Sequence, residues 1–257
     1  MASKPPAHSA HDLDALNTHL HYLKLSFTAE HYPALAREAA EQQCDHIGFL
    51  ARLVEGEAQR RADRSVERRI HLARFPVCKT LDQFQWNWPT KLNRMQVQNL
   101  FRLHFIEHAA NVIFIGGVGL GKSHLAIALG LAACHQQHSV LFASAIDAVN
   151  TLAAAQATGR LKQELRRYVR PQVLILDELG YLPIDKNGAD LLFQIISQRY
   201  ERGSTVITTN RVFKKWPEIF NNDTTLTAAV LDRLLHHAET VTIQGKSFRM
   251  KDQIEEQ

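Results

Sequence analysis

Cysteine is scarce. Only Cys44, Cys78 and Cys134 occur in 257 residues, an odd number, far apart and without C-x-x-C spacing. That excludes a disulfide-stapled scaffold and a cysteine zinc site, and reads as reduced thiols in the core or at the surface. Long apolar runs are missing too: none approaches the ~18 residues a membrane span needs. The opening Met1-Ala2-Ser3-Lys4-Pro5-Pro6 has no apolar core like that of a secretory signal. The expected location is cytoplasmic, with no membrane partner. An excess of one charge is lacking, since 30 Lys and Arg against 26 Asp and Glu leave a formal +4, which permits an acidic partner without establishing one. The three tryptophans, Trp86, Trp88 and Trp216, do not recur at base-stacking intervals. Histidine is frequent but scattered. His135/His138 and His236/His237 each lack a third ligand nearby in the sequence, so they read as solvated or packed side chains.

What is present organises around Gly116-Gly117-Val118-Gly119-Leu120-Gly121-Lys122-Ser123, which fits G-x-x-x-x-G-K-[ST]. Val112 to Ile115 before it is short, apolar and β-branched, a buried strand; His124 to Ala132 after it is rich in Ala and Leu, a helix. Each residue type has a physical task there. The glycines let the backbone turn and approach a phosphate closely. Backbone N–H groups and the helix N-terminus point at the anion. The Lys122 ammonium neutralises β- and γ-phosphates and the Ser123 hydroxyl ligates Mg²⁺. Asp177-Glu178 closes the apolar strand Val173 to Leu176, at the sheet edge where ligands bind. Asp177 reads as the second Mg²⁺ group and Glu178 as the carboxylate that polarises an attacking water. Asn210, ending the strand Thr205 to Thr208, orients that water or serves as a turn residue.

Along the chain, 1–10 reads as disordered and 11–68 as a small all-helical domain. Leu13, Leu16, Leu20 and Leu23 recur at three and four. Thr28 is the expected cap of a second helix with Tyr32, Leu35, Ala36 and Ala39 on one face. Asp45 is the expected cap of a third, with Ile47, Leu50, Ala51 and Val54 aligned. Its end carries Arg60, Arg61, Arg64, Arg68, Arg69 and Arg74, either a solvated face or a nucleic-acid or partner contact. Residues 75–90 read as a connector packed on the core, and Asn93 to Ile106 as a helix bordering an adenine pocket. From Asn111 strands and helices alternate: strands at 140–142 and 241–243, helices at 146–157, 161–169, 191–200 and 226–237. The expected fold is α/β, a parallel sheet between helices, in a domain covering 69–257. Arg160, Lys162, Arg166 and Arg167 form a further basic cluster, the candidate DNA contact.

The phosphate loop, Leu176-Asp177-Glu178-Leu179-Gly180-Tyr181-Leu182, Leu192-Phe193, Ser197-Gln198-Arg199-Tyr200, Thr208-Thr209-Asn210, Trp216 and Leu231-Asp232-Arg233-Leu234 together resemble the IstB transposition-helper ATPases. These are relatives of the helicase loader DnaC in the AAA+ class of P-loop NTPases, and the resemblance covers about 70 to 250. It implies that Asn210 is sensor 1, that Arg233 is an arginine finger and that Arg249 is the terminal arginine at the sensor 2 position. The nucleotide-binding set is then Gly116 to Ser123 with His124, Asp177 and Arg249; the metal set is Ser123 and Asp177; the catalytic set is Glu178, Asn210 and Arg233. So little chain follows Arg249 that the helical lid is expected to be short or absent. The resemblance implies ATP and Mg²⁺ as cofactors, duplex DNA and a transposase as partners, and self-assembly into a ring or spiral. A helicase loader is the rival reading and shares the chemistry. A scaffold that does not hydrolyse ATP is the third, and Glu178 argues against it.

Overall fold

The computed structural model describes residues 10–248, which divide into two compact units at 67/68. The first holds α1 (Ala10–Tyr22), α2 (Ser26–Glu41) and the start of α3 (His46–Ala73), the division falling within α3. Asp45 does cap α3, its Oδ1 accepting from the Gly48 N–H at 2.7 Å. Thr28 does not cap α2, because the helix begins at Ser26. The buried Glu57 of α3 does so instead: its Oε2 accepts from Phe27 N–H at 2.9 Å and Thr28 N–H at 3.2 Å. A carboxylate at a helix N-terminus satisfies orphan donors and complements the dipole. The aligned face of α3 is also not buried: Ile47 is 72% exposed, and Leu50 and Val54 are exposed as well, while Leu53 faces inward. Part of the arginine run is engaged locally, with Arg60 bonded to Glu30 at 2.6 Å and lying over the Phe27 ring.

The second unit is a five-stranded parallel sheet between two helical layers. Along the chain come α4 (Arg94–Leu100), α5 (His104–Glu107), β1 (Asn111–Gly116), α6 (Lys122–His135), β2 (Val140–Ser144), α7 (Ala145–Ala157) and α8 (Leu161–Val169). Then follow β3 (Val173–Leu179), α9 (Lys186–Arg199), β4 (Ser204–Thr209), a 3₁₀ turn (Phe213–Glu218), α10 (Thr224–Leu235) and β5 (Ala238–Ile243). The strand order is β2-β3-β4-β1-β5, every pairing parallel. Successive side chains of a strand face opposite ways, and here both faces are covered, which is why β1 and β3 are continuous apolar runs. Ile113, Ile115, Leu174 and Leu176 enter the core with α7–α10; Val112, Phe114, Val173 and Ile175 enter the core with α4–α6. Cys134 lies in that second core, where burial pushes its thiol up to about 11, so it stays protonated.

The helix expected over 93–106 is broken. Leu103 adopts φ 63° between α4 and α5, and its side chain is buried with Val97 and Leu100. α9 and α10 start earlier than their apolar periodicity suggests, because Asp185 and Asp223 cap them, accepting from Gly188 N–H and Leu226 N–H at 2.8 Å each.

One buried cation sets the end of the sheet away from the phosphate loop. Arg199 is 2% exposed and donates to the carbonyls of Tyr168, Val169, Pro171, Gln172 and Ser204 and to the Thr205 hydroxyl, at 2.6–3.2 Å. Burial lowers its guanidinium to about 10, which leaves it charged at neutral pH. Arg199→Met would keep the apolar stem and strand those acceptors, and the loss of such a hydrogen-bonded charge is expected to cost about 3–5 kcal/mol. All three tryptophans lie in the second unit. Urea unfolding followed by their fluorescence therefore reads that unit alone, and an unchanged midpoint would show the guanidinium to be dispensable.

Candidate functional site

β1 runs into the glycine loop, and α6 begins at Lys122, directly after Gly121 at φ 85°. A side chain at Gly121 would meet Phe84, its Cβ 2.6 Å from Phe84 Cε2, besides straining the turn. Lys122 is 4% exposed; its Nζ donates to the Gly117 carbonyl at 2.6 Å and lies 5.7 Å from the centre of the Tyr181 ring. The ammonium is thus held inside the loop against a carbonyl and an aromatic face. His124 on the first turn of α6 has Nε2 2.8 Å from the Thr80 carbonyl oxygen and its ring edge-on to Phe84.

Above the loop the ends of β3 and β4 meet α6. Ser123 Oγ donates to Asp177 Oδ1 at 2.8 Å, and Thr208 Oγ1 donates to the same oxygen at 2.5 Å. Thr208 Oγ1 also accepts from the Glu178 N–H at 2.9 Å. Two hydroxyls and one carboxylate oxygen therefore share a point beside the loop. The β3–β4 register slips between Leu176 and Leu179, and Glu178 adopts φ 59° within the slip. A non-glycine residue there is strained by about 1–3 kcal/mol. The slip re-aims Glu178: its neighbours on β3 are buried, while it is exposed and lines the cleft. Asn210 follows β4, and its Oδ1 is buried with no hydrogen-bond partner among the described residues, a cost that a bound water or ligand would relieve.

The cleft has a volume of about 530 Å³, the size of a small-molecule site. Gly119 to His124 line it, with Glu178 and Tyr181. Val77, Phe84, Trp88, Pro89 and Phe248 add an apolar and aromatic wall, with Lys79 beside them. The expected border over 93–106 is therefore corrected: the connector before it lines the cleft and α4 does not. Residues 244–248 cross the loop, with Phe248 N–H donating to the Gly119 carbonyl at 2.9 Å and Trp88 Nε1 to the Lys246 carbonyl at 2.8 Å. Arg249 lies outside the described residues. A glycine loop opening a helix, a buried lysine, a hydrogen-bonded Ser–Asp pair of oxygen groups and an apolar wall are the chemistry that suits a magnesium-bound nucleotide.

Arg233 does not line this cleft. It is half-buried on α10, donates to the Ala229 carbonyl at 2.9 Å and rests 5.0 Å from the centre of the Phe193 ring on α9. On α8, Arg167 bonds Glu164 at 2.8 Å and lies over Tyr168, whereas Lys162 and Arg166, one turn apart, are exposed, as is Arg160. The sequence reading missed Thr208, Tyr181, Lys79 and the aromatic wall. It also left His236/His237 without a third ligand, and the fold supplies Glu201 beside them.

The chain matches, over residues 18–256, the family model described as IstB-like ATP binding protein. It is 37% identical over 239 residues to a protein of insertion sequence IS5376 of Geobacillus stearothermophilus that is assigned as ATP-binding, covering 93% of this chain and 95% of that one. It is 39% identical over 242 residues to the corresponding protein of IS21 of Pseudomonas aeruginosa, covering 94% and 90%. Among solved structures, the DnaC helicase loader shares the fold at TM-score 0.53 and 22% identity, over 64% of this chain and 96% of that one.

Proposed function

This chain belongs to the family of IstB-like ATP-binding proteins, in the AAA+ branch of the P-loop fold, and we propose that it hydrolyses ATP to assemble and remodel a complex on duplex DNA that recruits or activates a transposase. The observation that carries the hydrolytic part is the set of contacts from Ser123 through Asp177 and Thr208 to Glu178. Loop N–H groups and Lys122 would bind the phosphates. Ser123 and Asp177 would hold Mg²⁺, which when bound neutralises phosphate charge. Glu178 would polarise the attacking water and take its proton, with Asn210 orienting that water. Thr208 would be a positioning residue, fixing the Asp177 carboxylate and the Glu178 backbone together. The aromatic wall would take the base.

A scaffold without hydrolysis has no use for a carboxylate aimed into the cleft by a strained backbone. A helicase loader would use the same chemistry, and the insertion-sequence setting of the relatives favours the transposition helper. Arg233, lying away from its own subunit's cleft, suits action on a neighbour's nucleotide in a ring or spiral. Residues 1–68 would serve partner contact or assembly, with nucleotide chemistry left to 69–257.

For DNA, the exposed trio Arg160, Lys162 and Arg166 is the first candidate, since Arg167 is paired with Glu164. Each phosphate contact contributes ~0.9 to the slope of log K against log salt. Replacing the trio by Gln is expected to weaken duplex binding on every sequence and to reduce that slope by about 2–3. An unchanged slope in a salt titration would place the DNA surface elsewhere. Capture of a transposase from an insertion sequence of the relatives' type, by the full chain and not by a chain lacking 1–68, would separate the helper from the loader and test the role of the first unit.

A further inference from the structure

Two helix ends meet within the second unit, and none of the residues there lines the cleft. Tyr200 ends α9 and Glu201 follows at φ 56°, a left-handed residue that turns the chain back sharply. His236 ends α10, and the backbone of His237 is pinned at the start of the sheet, its carbonyl accepting from Asn111 N–H at 2.7 Å. The two imidazole rings lie 4.1 Å apart between centres. Glu201 Oε1 is 3.8 Å from His236 Nδ1, and one ligand atom from each of Glu201, His236 and His237 lies within 4.8 Å of the others. The Tyr200 hydroxyl, 2.8 Å from His236 Nδ1, holds that ring against the end of α9.

We propose that Glu201, His236 and His237 form a binding site for a divalent transition metal ion of the zinc class. Two imidazoles and one carboxylate are the donor set such ions take, with water completing the shell. All three side chains are exposed, so an ion can enter from solvent and keep its waters. The ligands come from the ends of two different helices, so an ion there would clasp α9 to α10. Arg233, three residues before His236, leans on Phe193 of α9, and the clasp would stiffen the pair of helices on which that arginine rests. Mg²⁺, a hard ion that prefers oxygen, would not compete for two imidazoles.

The test is a zinc titration of the full chain without a histidine tag, in excess Mg²⁺, followed by calorimetry and by Co²⁺ substitution, whose visible absorption reports imidazole ligation. The expected result is one ion per chain at micromolar affinity, with Zn²⁺ raising the thermal midpoint read by tryptophan fluorescence. Glu201→Gln and His237→Ala are each expected to weaken binding by about tenfold or more and to abolish the midpoint shift, while His135→Ala leaves both intact. These are surface replacements, and unchanged tryptophan spectra would confirm that the variants are folded. No site of unit stoichiometry in the parent, or affinity unchanged from the parent in Glu201→Gln and His237→Ala, would overturn the proposal.

Discussion

Glu178→Gln is expected to bind ATP as tightly as the parent and to turn it over about 10²–10⁴-fold more slowly, the usual worth of a positioned general base. The substitution keeps the shape of the side chain and removes its charge. The strained backbone at Glu178 is held through its own N–H by Thr208 Oγ1, a contact the side-chain change does not touch, so the fold should survive. Lys122→Ala should behave differently. It removes a buried ammonium from inside the loop, so affinity itself should fall along with turnover. Nucleotide binding measured beside phosphate release distinguishes the two. Turnover by Glu178→Gln at the parental rate would remove that carboxylate from the mechanism and leave the base to be sought elsewhere in the cleft.

Arg233→Ala is expected to preserve ATP affinity and to lower hydrolysis in the assembled protein by about 10³–10⁵-fold, the range for an arginine finger. Among the described residues the guanidinium has modest ties, a hydrogen bond to the Ala229 carbonyl and the face of Phe193. A cation–π contact of that kind contributes about 0.5–1 kcal/mol, small beside the several kcal/mol that such a rate factor represents. Leaving it to reach a neighbouring nucleotide is therefore inexpensive. If those contacts are the whole role of Arg233, its removal should cost about a kcal/mol of stability and leave the rate alone. Mixing Arg233→Ala with Lys122→Ala separates the cases. Each mutant supplies what the other lacks, so co-assembled mixtures should regain activity at interfaces that join an intact Lys122 to an intact Arg233. Mixtures shown to co-assemble that remain as inactive as either mutant alone would end the trans assignment.

The parts of this site that could be read in the sequence are those whose partners are close in the chain. The loop announces itself within eight residues, β1 and β3 by unbroken apolar runs, and Asp177-Glu178 by its place at a strand end. What escaped is held by partners far apart. Thr208 meets Asp177 across 31 positions, Glu57 caps α2 from 30 positions on, and Glu201 reaches His236 across 35, so no local period marks any of them. The stretch 75–90 reads in the sequence only as a connector packed on the core, and it is the fold that sets its aromatics against the glycine loop. The exposed face of α3 misled for a related reason. Apolar spacing marks a face without saying whether anything covers it.

The buried arginine of α9 has a consequence for how the chain can drift. Five of its six acceptors are main-chain carbonyls, four of them between Tyr168 and Gln172. That connection is read through its backbone, so its side chains can be exchanged with little effect on the guanidinium. Its length cannot. One residue inserted between Val169 and Gln172 would carry at least one carbonyl out of reach of a planar fork whose position is set by α9. The stretch is open to substitution and closed to insertion, and a library of single-residue insertions across 165–175 would show the step at these positions.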